Sequence, residues 1–254
     1  MGQSMEACRA GLLGFILLLA AVGCSTAPVQ EGPVVEPIFP ASKVLDPRTH
    51  YASDVYDPWE GFNRTIYRFN YHFDRYVFLP AVNAYQAVTP DVVEKGIHNF
   101  FRNIVDVSTL INCILQGRPD TAVVTLTRII WNTTIGVGGL INVASALDVP
   151  RPLEDFGQTL GRWGIGAGPY LVLPFAGPSS VRGAIGLGAD FLMVTGIRDW
   201  AIDLKTWQSV ALTVLQSIDI RAHIPFRYYE TGSAFEYDMV RWLYSTKREL
   251  DIEK

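Results

Sequence analysis

The 254-residue sequence predicts a mainly α-helical single domain with very little strand. Three observations lead there. Apolar residues recur at three- and four-residue steps through most of the chain, the period of a helix with one greasy face. Only Tyr170-Leu171-Val172-Leu173-Pro174 reads as extended, and Pro174 and Pro178 close it before it can seed a large sheet. The composition is 49% hydrophobic and 18% charged with mean hydropathy +0.18. Yet beyond the N-terminal leader no stretch reaches the roughly 18 uninterrupted apolar residues expected of a membrane-crossing helix. The best candidate, 183–197, is short, glycine-rich and broken by Asp190. Such a chain either has an unusually large core or keeps part of its surface in lipid.

The 11 residues from Leu12 to Val22 are apolar or small. A helix needs about 20 residues to cross a hydrocarbon core of roughly 30 Å, so this run reads as the central region of an export signal. It ends Ala20-Ala21-Val22-Gly23-Cys24, which resembles a bacterial lipoprotein signal. On that reading residues 1–23 are removed, Cys24 is acylated, and Ser25, standing where Asp would favour the inner membrane, directs the protein to the outer membrane. An ordinary secretory signal cut elsewhere is the alternative, and Met5 is a second candidate start. Residues 24–53, with Pro28, Pro33, Pro37, Pro40 and Pro47, read as a flexible tether. Cys8 lies in the leader, so Cys113 has no partner for an internal disulfide and reads as a small packing residue. The formal net charge of −4 gives no electrostatic footprint for nucleic acid.

The folded domain is expected over 54–250, with a short tail at 251–254. Asp57-Pro58-Trp59-Glu60 predicts a capped helix start and Pro80 its end, near Leu79. On that helix Trp59, Phe62, Ile66, Phe69, Phe73 and Val77 form one stripe, with Arg64, Arg68 and Arg75 opposite. Two readings stay open: a core-facing helix with a solvated basic face, or an interfacial helix with arginines near lipid phosphates. Thr89-Pro90-Asp91 starts a second helix to Gly117, whose face from Val93 through Phe101 and Ile111 to Leu115 is wide enough for core. Pro119 opens a third through Trp131, followed by a short run at 140–147 and a short helix over 154–163. Ser179 predicts a cap for a helix near Val181. Trp200, Leu204, Trp207, Ala211, Val214, Leu215 and Ile218 make another stripe. A final helix starts from the capping box Ser233-x-x-Glu236, with Phe235, Met239, Trp242, Leu243 and Leu250 on its apolar face.

Chemistry is scarce. Gly177-Pro178-Ser179-Ser180 is not a nucleophile elbow, His50, His72, His98 and His223 have no metal-ligand spacing, and Gly164-x-Gly166-x-Gly168 precedes its strand, out of context for a phosphate loop. No enzymatic activity, metal or cofactor is expected. Gly157, Gly161, Gly164, Gly166 and Gly168 suggest close helix contacts followed by a turn that is either merely sharp or a moving gate.

Four blocks carry a resemblance: DPWEGFNRTIYRFN at 57–70, INCILQG at 111–117, NTTIGVGGLINVAS at 132–145, and EDFGQTLGRWGIGAGPYLVLPFAGPSSVR at 154–182. The chain resembles the VacJ/MlaA family of outer-membrane lipoproteins over roughly residues 54–250. EYDMVRWLYSTKREL at 236–250 departs from the family pattern. The resemblance implies a ring of interfacial helices in the inner leaflet of the outer membrane, facing the periplasm and enclosing an amphipathic channel. It also implies removal of mislocalised phospholipid from the outer leaflet. The implied partners are a soluble periplasmic phospholipid carrier (MlaC-like) and a trimeric porin (OmpC/OmpF-like). Phe69, Asn70 and Tyr71, with Arg64 and Arg68, are the expected channel residues, and Gly164, Gly166, Gly168 and Tyr170 the expected gate. The alternative is a non-transporting envelope lipoprotein that binds porin and affects surface properties or host-cell spread.

Overall fold

A computed structural model describes residues 55–230 and 232–254. The leader, Cys24 and the proline-rich tether lie outside them. The described chain runs α1 (Glu60–Phe73), a π-helical turn (Asp74–Phe78), α2 (Leu79–Val88), α3 (Asp91–Leu115), α4 (Pro119–Thr134), α5 (Val143–Ala146), α6 (Phe156–Arg162), β1 (Tyr170–Leu173), β2 (Gly177–Ser180), α7 (Val181–Ile202), α8 (Thr206–Ala222) and α9 (Glu236–Glu253). It is mainly helical, as the periodicity predicts. No described helix is long and apolar enough to cross a membrane. The strand pair is an antiparallel hairpin in which Tyr170 faces Ser180 and Leu173 faces Gly177. Gly177-Pro178 hid the second strand, because its composition reads as turn.

Several boundaries differ from the sequence expectation, each for a local reason. Pro80 does not end the first helix. The preceding turn widens to π geometry, and Pro80 falls at the start of α2, where a missing N–H and a bulky ring are tolerated. The first helix begins at Glu60 without a side-chain cap, because the Asp57 carboxylate is used elsewhere. It accepts from Asn63 Nδ2 at 2.7 Å and Tyr237 Oη at 2.6 Å and pairs with Arg241 at 3.2 Å. Ser180, one residue later than expected, caps α7 by accepting from the Gly183 N–H at 3.1 Å. Trp200 belongs to α7 rather than α8, since Asp203 turns left-handed (φ 51°) and separates the two. The Ser233/Glu236 box does not close, because the Glu236 carboxylate accepts from Tyr67 Oη at 2.6 Å and the Tyr229 N–H at 2.7 Å. The last turn of α9 takes in residues 251–253.

The larger departure concerns which faces are buried. On α1, Phe62 (56% exposed), Phe69 (42%) and Val77 of the following turn (48%) point outward, while Asn63, Tyr67, Asn70 and Tyr71 are buried. That stripe is therefore split: Ile66 packs against the core cluster and Phe73 is half-buried, while the rest of it faces outward and Arg68 and Arg75 stay exposed. Helix α3 buries Phe101 and Cys113, as expected of them, but alongside Asn103, Asp106, Ser108, Thr109 and Asn112, and leaves Ile114 and Leu115 exposed. Helix α9 buries Glu236, Tyr237 and Arg241 and exposes Met239, Trp242, Leu243 and Leu250. An aromatic knot of Tyr67, Tyr170, Val172 and Tyr237 is the described hydrophobic core cluster.

Polar groups inside a protein must be paired to be tolerated. Here they are. Arg128, 1% exposed, donates to Asp106 Oδ2, Asn142 Oδ1 and the Val149 carbonyl, and Arg151 Nε meets the other Asp106 oxygen at 2.7 Å. Arg118 pairs with Glu154 at 2.7 Å, and Arg198 with Asp199 and Ser209. Glycine permits the closest helix crossing. A side chain at Gly186 on α7 would be driven into the backbone of Gly157 on α6, which accounts for that glycine pair as close contact.

Candidate functional site

The contacts close into a circuit: α1 packs on β1, the hairpin on α7, α7 on α8, and α8 on α2, which continues α1 through the π turn. Between the hairpin turn, the π turn and the end of α8 lies an apolar cavity of about 280 Å³, lined by Phe73, Phe78, Phe175, Ile224 and Phe226, with the Asp74–Arg221 ion pair and Asn70 in its wall. A second cavity of about 210 Å³ shares Ala176 and Pro178 with the first, and is lined by Asp155, Ser179, Asp190, Tyr244 and Arg248. A third, about 310 Å³, shares Tyr244 and Arg248 with the second and extends under Ala167, Gly168 and Tyr170 to Arg182. Neighbouring cavities thus change from strongly apolar to mixed, with charged groups in their walls, across the hairpin.

The Leu173–Gly177 turn forms the partition. Phe175 has φ 67°, a left-handed backbone that a bulky side chain rarely adopts. Asn70 holds it there, donating to the Leu173 carbonyl at 2.9 Å and accepting the Phe175 N–H at 2.8 Å. The Phe175 ring meets Phe73 and Phe69 edge to face, at centroid distances of 4.6 and 5.5 Å. Asn63 fixes the other end of the hairpin, donating to the Tyr170 carbonyl and accepting the Val172 N–H.

The mixed cavities have defined electrostatics. Burial pushes the Asp155 carboxyl up, but the twin bonds from Arg248 outweigh it and hold the group below the usual carboxylate range. Burial pushes the Asp190 carboxyl above that range, although the Phe156 N–H, Asn112 and Ser108 all donate to it. Burial, and then the nearby Arg248, draws the Arg182 guanidinium down. Arg182 nonetheless anchors the glycine loop, through Nη1 to the Ile165 carbonyl at 2.7 Å and its own N–H to the Ala167 carbonyl at 3.1 Å.

The expected residues fall in different places. Asn70 lines the apolar cavity, and Phe69 supports its mouth through Phe175. Tyr71 is buried against Tyr229, its hydroxyl accepting from Arg75. Arg64 bridges α1 to α9, meeting Glu60 at 2.6 Å and Asp238 at 3.1 Å with its guanidinium 4.1 Å from the Tyr237 ring centroid. It does not line a described cavity. Arg68 is exposed on the same helix. Gly164 (φ 87°) and Gly168 (φ 69°) take backbone conformations suited to glycine, Gly166 stands in open space, and Gly168 borders the third cavity. Tyr170, 1% exposed, belongs to the aromatic knot beneath that loop. Sequence reasoning missed Phe175, Arg221, Arg248 and Asp190 as lining residues. Asp190 was visible as the charge interrupting an apolar run, and nothing local marks the others. Ser179 donates to the Ser180 carbonyl at 3.3 Å. His98 and His223, far apart in sequence, meet at Asp219, a proximity that spacing along the chain could not reveal.

Comparison with known proteins gives one consistent picture. The model of the family described as MlaA lipoprotein matches residues 55–251. The Escherichia coli (strain K12) protein named intermembrane phospholipid transport system lipoprotein MlaA is 36% identical over 173 residues, 66% of each chain. The Haemophilus influenzae protein of the same name is 34% identical over 177 residues, 68% of this chain and 70% of that one. A solved structure described as the structural basis for maintenance of bacterial outer membrane lipid asymmetry superposes with TM-score 0.61 at 30% identity, covering 78% of this chain and 100% of that one.

Proposed function

Because the chain belongs to the MlaA lipoprotein family, we propose that it works in intermembrane phospholipid transport, helping to maintain the lipid asymmetry of an outer membrane. It removes phospholipid that has strayed into the outer leaflet and passes it to a periplasmic carrier. It needs no catalytic step. The observation that supports this most is the inverted distribution of polarity, with arginines and carboxylates paired inside and Trp200, Leu192 and Val92 at 86%, 70% and 81% exposure outside. A surface this apolar is at rest in acyl chains rather than water.

On this reading the body lies flat among inner-leaflet lipids, held by acylated Cys24 and touching a trimeric porin. The aromatic cavity accepts acyl chains. The Arg182, Asp155, Arg248 and Tyr244 cavities take the headgroup, whose charge is costly to strand in hydrocarbon. The hairpin turn at Phe175 and the Gly164–Gly168 loop are the parts that move to join the cavities, with Asn70 and Tyr170 as fixed supports. Direction comes from the acceptor, since no nucleotide motif is legible in the chain.

The test is outer-leaflet phospholipid measured in a deletion strain carrying wild-type or variant protein. Gly164→Ala, which stiffens a position at φ 87° without meeting any neighbour, raises outer-leaflet phospholipid while porin still co-purifies. Unchanged asymmetry in the deletion strain would favour the structural envelope lipoprotein instead.

A further inference from the structure

Asp219 opens the last turn of α8 with its side chain 1% exposed. Most other buried carboxylates face a guanidinium: Asp57 has Arg241, Asp74 has Arg221, Asp106 has Arg128 and Arg151, and Glu154 has Arg118. Asp219 has histidines. Its Oδ2 lies 2.9 Å from His98 Nδ1 on α3, and its Oδ1, which has no hydrogen-bond partner, lies 3.6 Å from His223 Nδ1, which donates to the Asp219 backbone carbonyl at 2.8 Å. The two imidazole rings face each other with centroids 3.6 Å apart and planes 17° from parallel. A second orphan is close by. The hydroxyl of Tyr85 on α2 is buried without a partner.

In a tetrahedral zinc site with ligand bonds of about 2.1 Å, neighbouring ligand atoms stand about 3.4 Å apart. The three side chains offer one ligand atom each within 4.8 Å of one another, a spread that a small closure brings to that edge, and an ion recruiting His223 Nδ1 replaces its bond to the Asp219 backbone carbonyl. Two imidazoles and a carboxylate are also a donor set that borderline divalent ions prefer over magnesium or calcium. We infer that His98, Asp219 and His223 form a binding site for a divalent transition metal of the zinc class, which clasps α8 to α3. Water completes the coordination, and a small rotation lets the Tyr85 hydroxyl donate to the ligating carboxylate. His223 immediately precedes Ile224 and Phe226 in the wall of the apolar cavity, so the ion also fixes where that wall begins.

The test is isothermal titration of untagged, EDTA-stripped full-length protein in detergent with zinc chloride, repeated with cobalt(II) to read the coordination spectrum. One equivalent binds with micromolar or tighter affinity, and cobalt gives the intense visible bands of a four-coordinate site. His223→Ala, at an exposed helix end where folding is undisturbed, and His98→Gln each weaken binding by about 100-fold or more. Absence of saturable zinc binding to the wild type, or binding unaffected by both substitutions, would overturn the assignment.

Discussion

Replacing Arg128 by Met asks whether the paired polar interior is what holds this fold together. The side chain is fully buried on α4. It reaches the Val149 carbonyl at 2.7 Å, Asn142 Oδ1 at 3.2 Å and Asp106 Oδ2 at 3.4 Å. Methionine fills much of the volume and supplies none of the donors. Removing one partner of a buried ion pair costs about 3–5 kcal/mol. Asp106 keeps Arg151 at 2.7 Å, which places the expected loss near the lower figure, about 3 kcal/mol. At about 2–4 °C per kcal/mol for a domain of this size, the midpoint falls by roughly 6–12 °C. The assay is thermal unfolding in detergent followed by far-ultraviolet circular dichroism, with Leu192→Ser, at a position 70% exposed, as the reference. That exposed apolar site shifts stability by no more than about 0.5 kcal/mol. A Leu192→Ser loss exceeding that of Arg128→Met would refute the reasoning, because the greasy residues would then be the core.

Other substitutions probe the parts around the cavities. Asn63→Ala removes two bonds to the hairpin backbone and one to Asp57, so the variant loses about 2–3 kcal/mol and the Val172 amide exchanges with deuterium far faster. Gly186→Ala forces α6 and α7 apart and costs about 1–3 kcal/mol by denaturant titration, whereas Gly188→Ala, with open space around it, is neutral or stabilising. Asp155 is held below its unfolded value by Arg248 in spite of burial. Its contribution is therefore complete above the unfolded pKa of about 3.9 and is lost as pH falls through the lower folded value. The stability gap between wild type and Asp155→Asn, measured by denaturation from pH 7 downward, narrows below about pH 4, and a gap independent of pH would contradict the pairing.

The helices were legible because their apolar period is strong, and the single extended run was legible because prolines fence it. Which face turned inward was not. A stripe of Phe62, Phe69 and Val77 has the same spacing whether it meets a core or a lipid, and only the partners of Asn63, Asn70 and Tyr67 decide the matter. Those partners lie on the hairpin and on α9, about a hundred or more residues away. The glycine-rich block marked the loop beneath which Tyr170 sits, yet Phe175 and Arg248 gained their places only through tertiary contact. His98 and His223 make the same point, since no local pattern foretells a meeting at Asp219. Pro80 shows the converse case, a strong local signal absorbed by one π turn.

The apolar exterior of this fold resides in lipid or in water, and the two locations are directly distinguishable. Spin labels placed on cysteines introduced at Leu192, Trp200 and Leu243, in protein reconstituted into phospholipid bilayers, report collisions with dissolved oxygen and with a water-soluble nickel complex. All three positions are exposed apolar sites of the fold. Strong oxygen relaxation with protection from nickel is the predicted result at each. Free access of nickel to all three would place that surface in water and contradict the account.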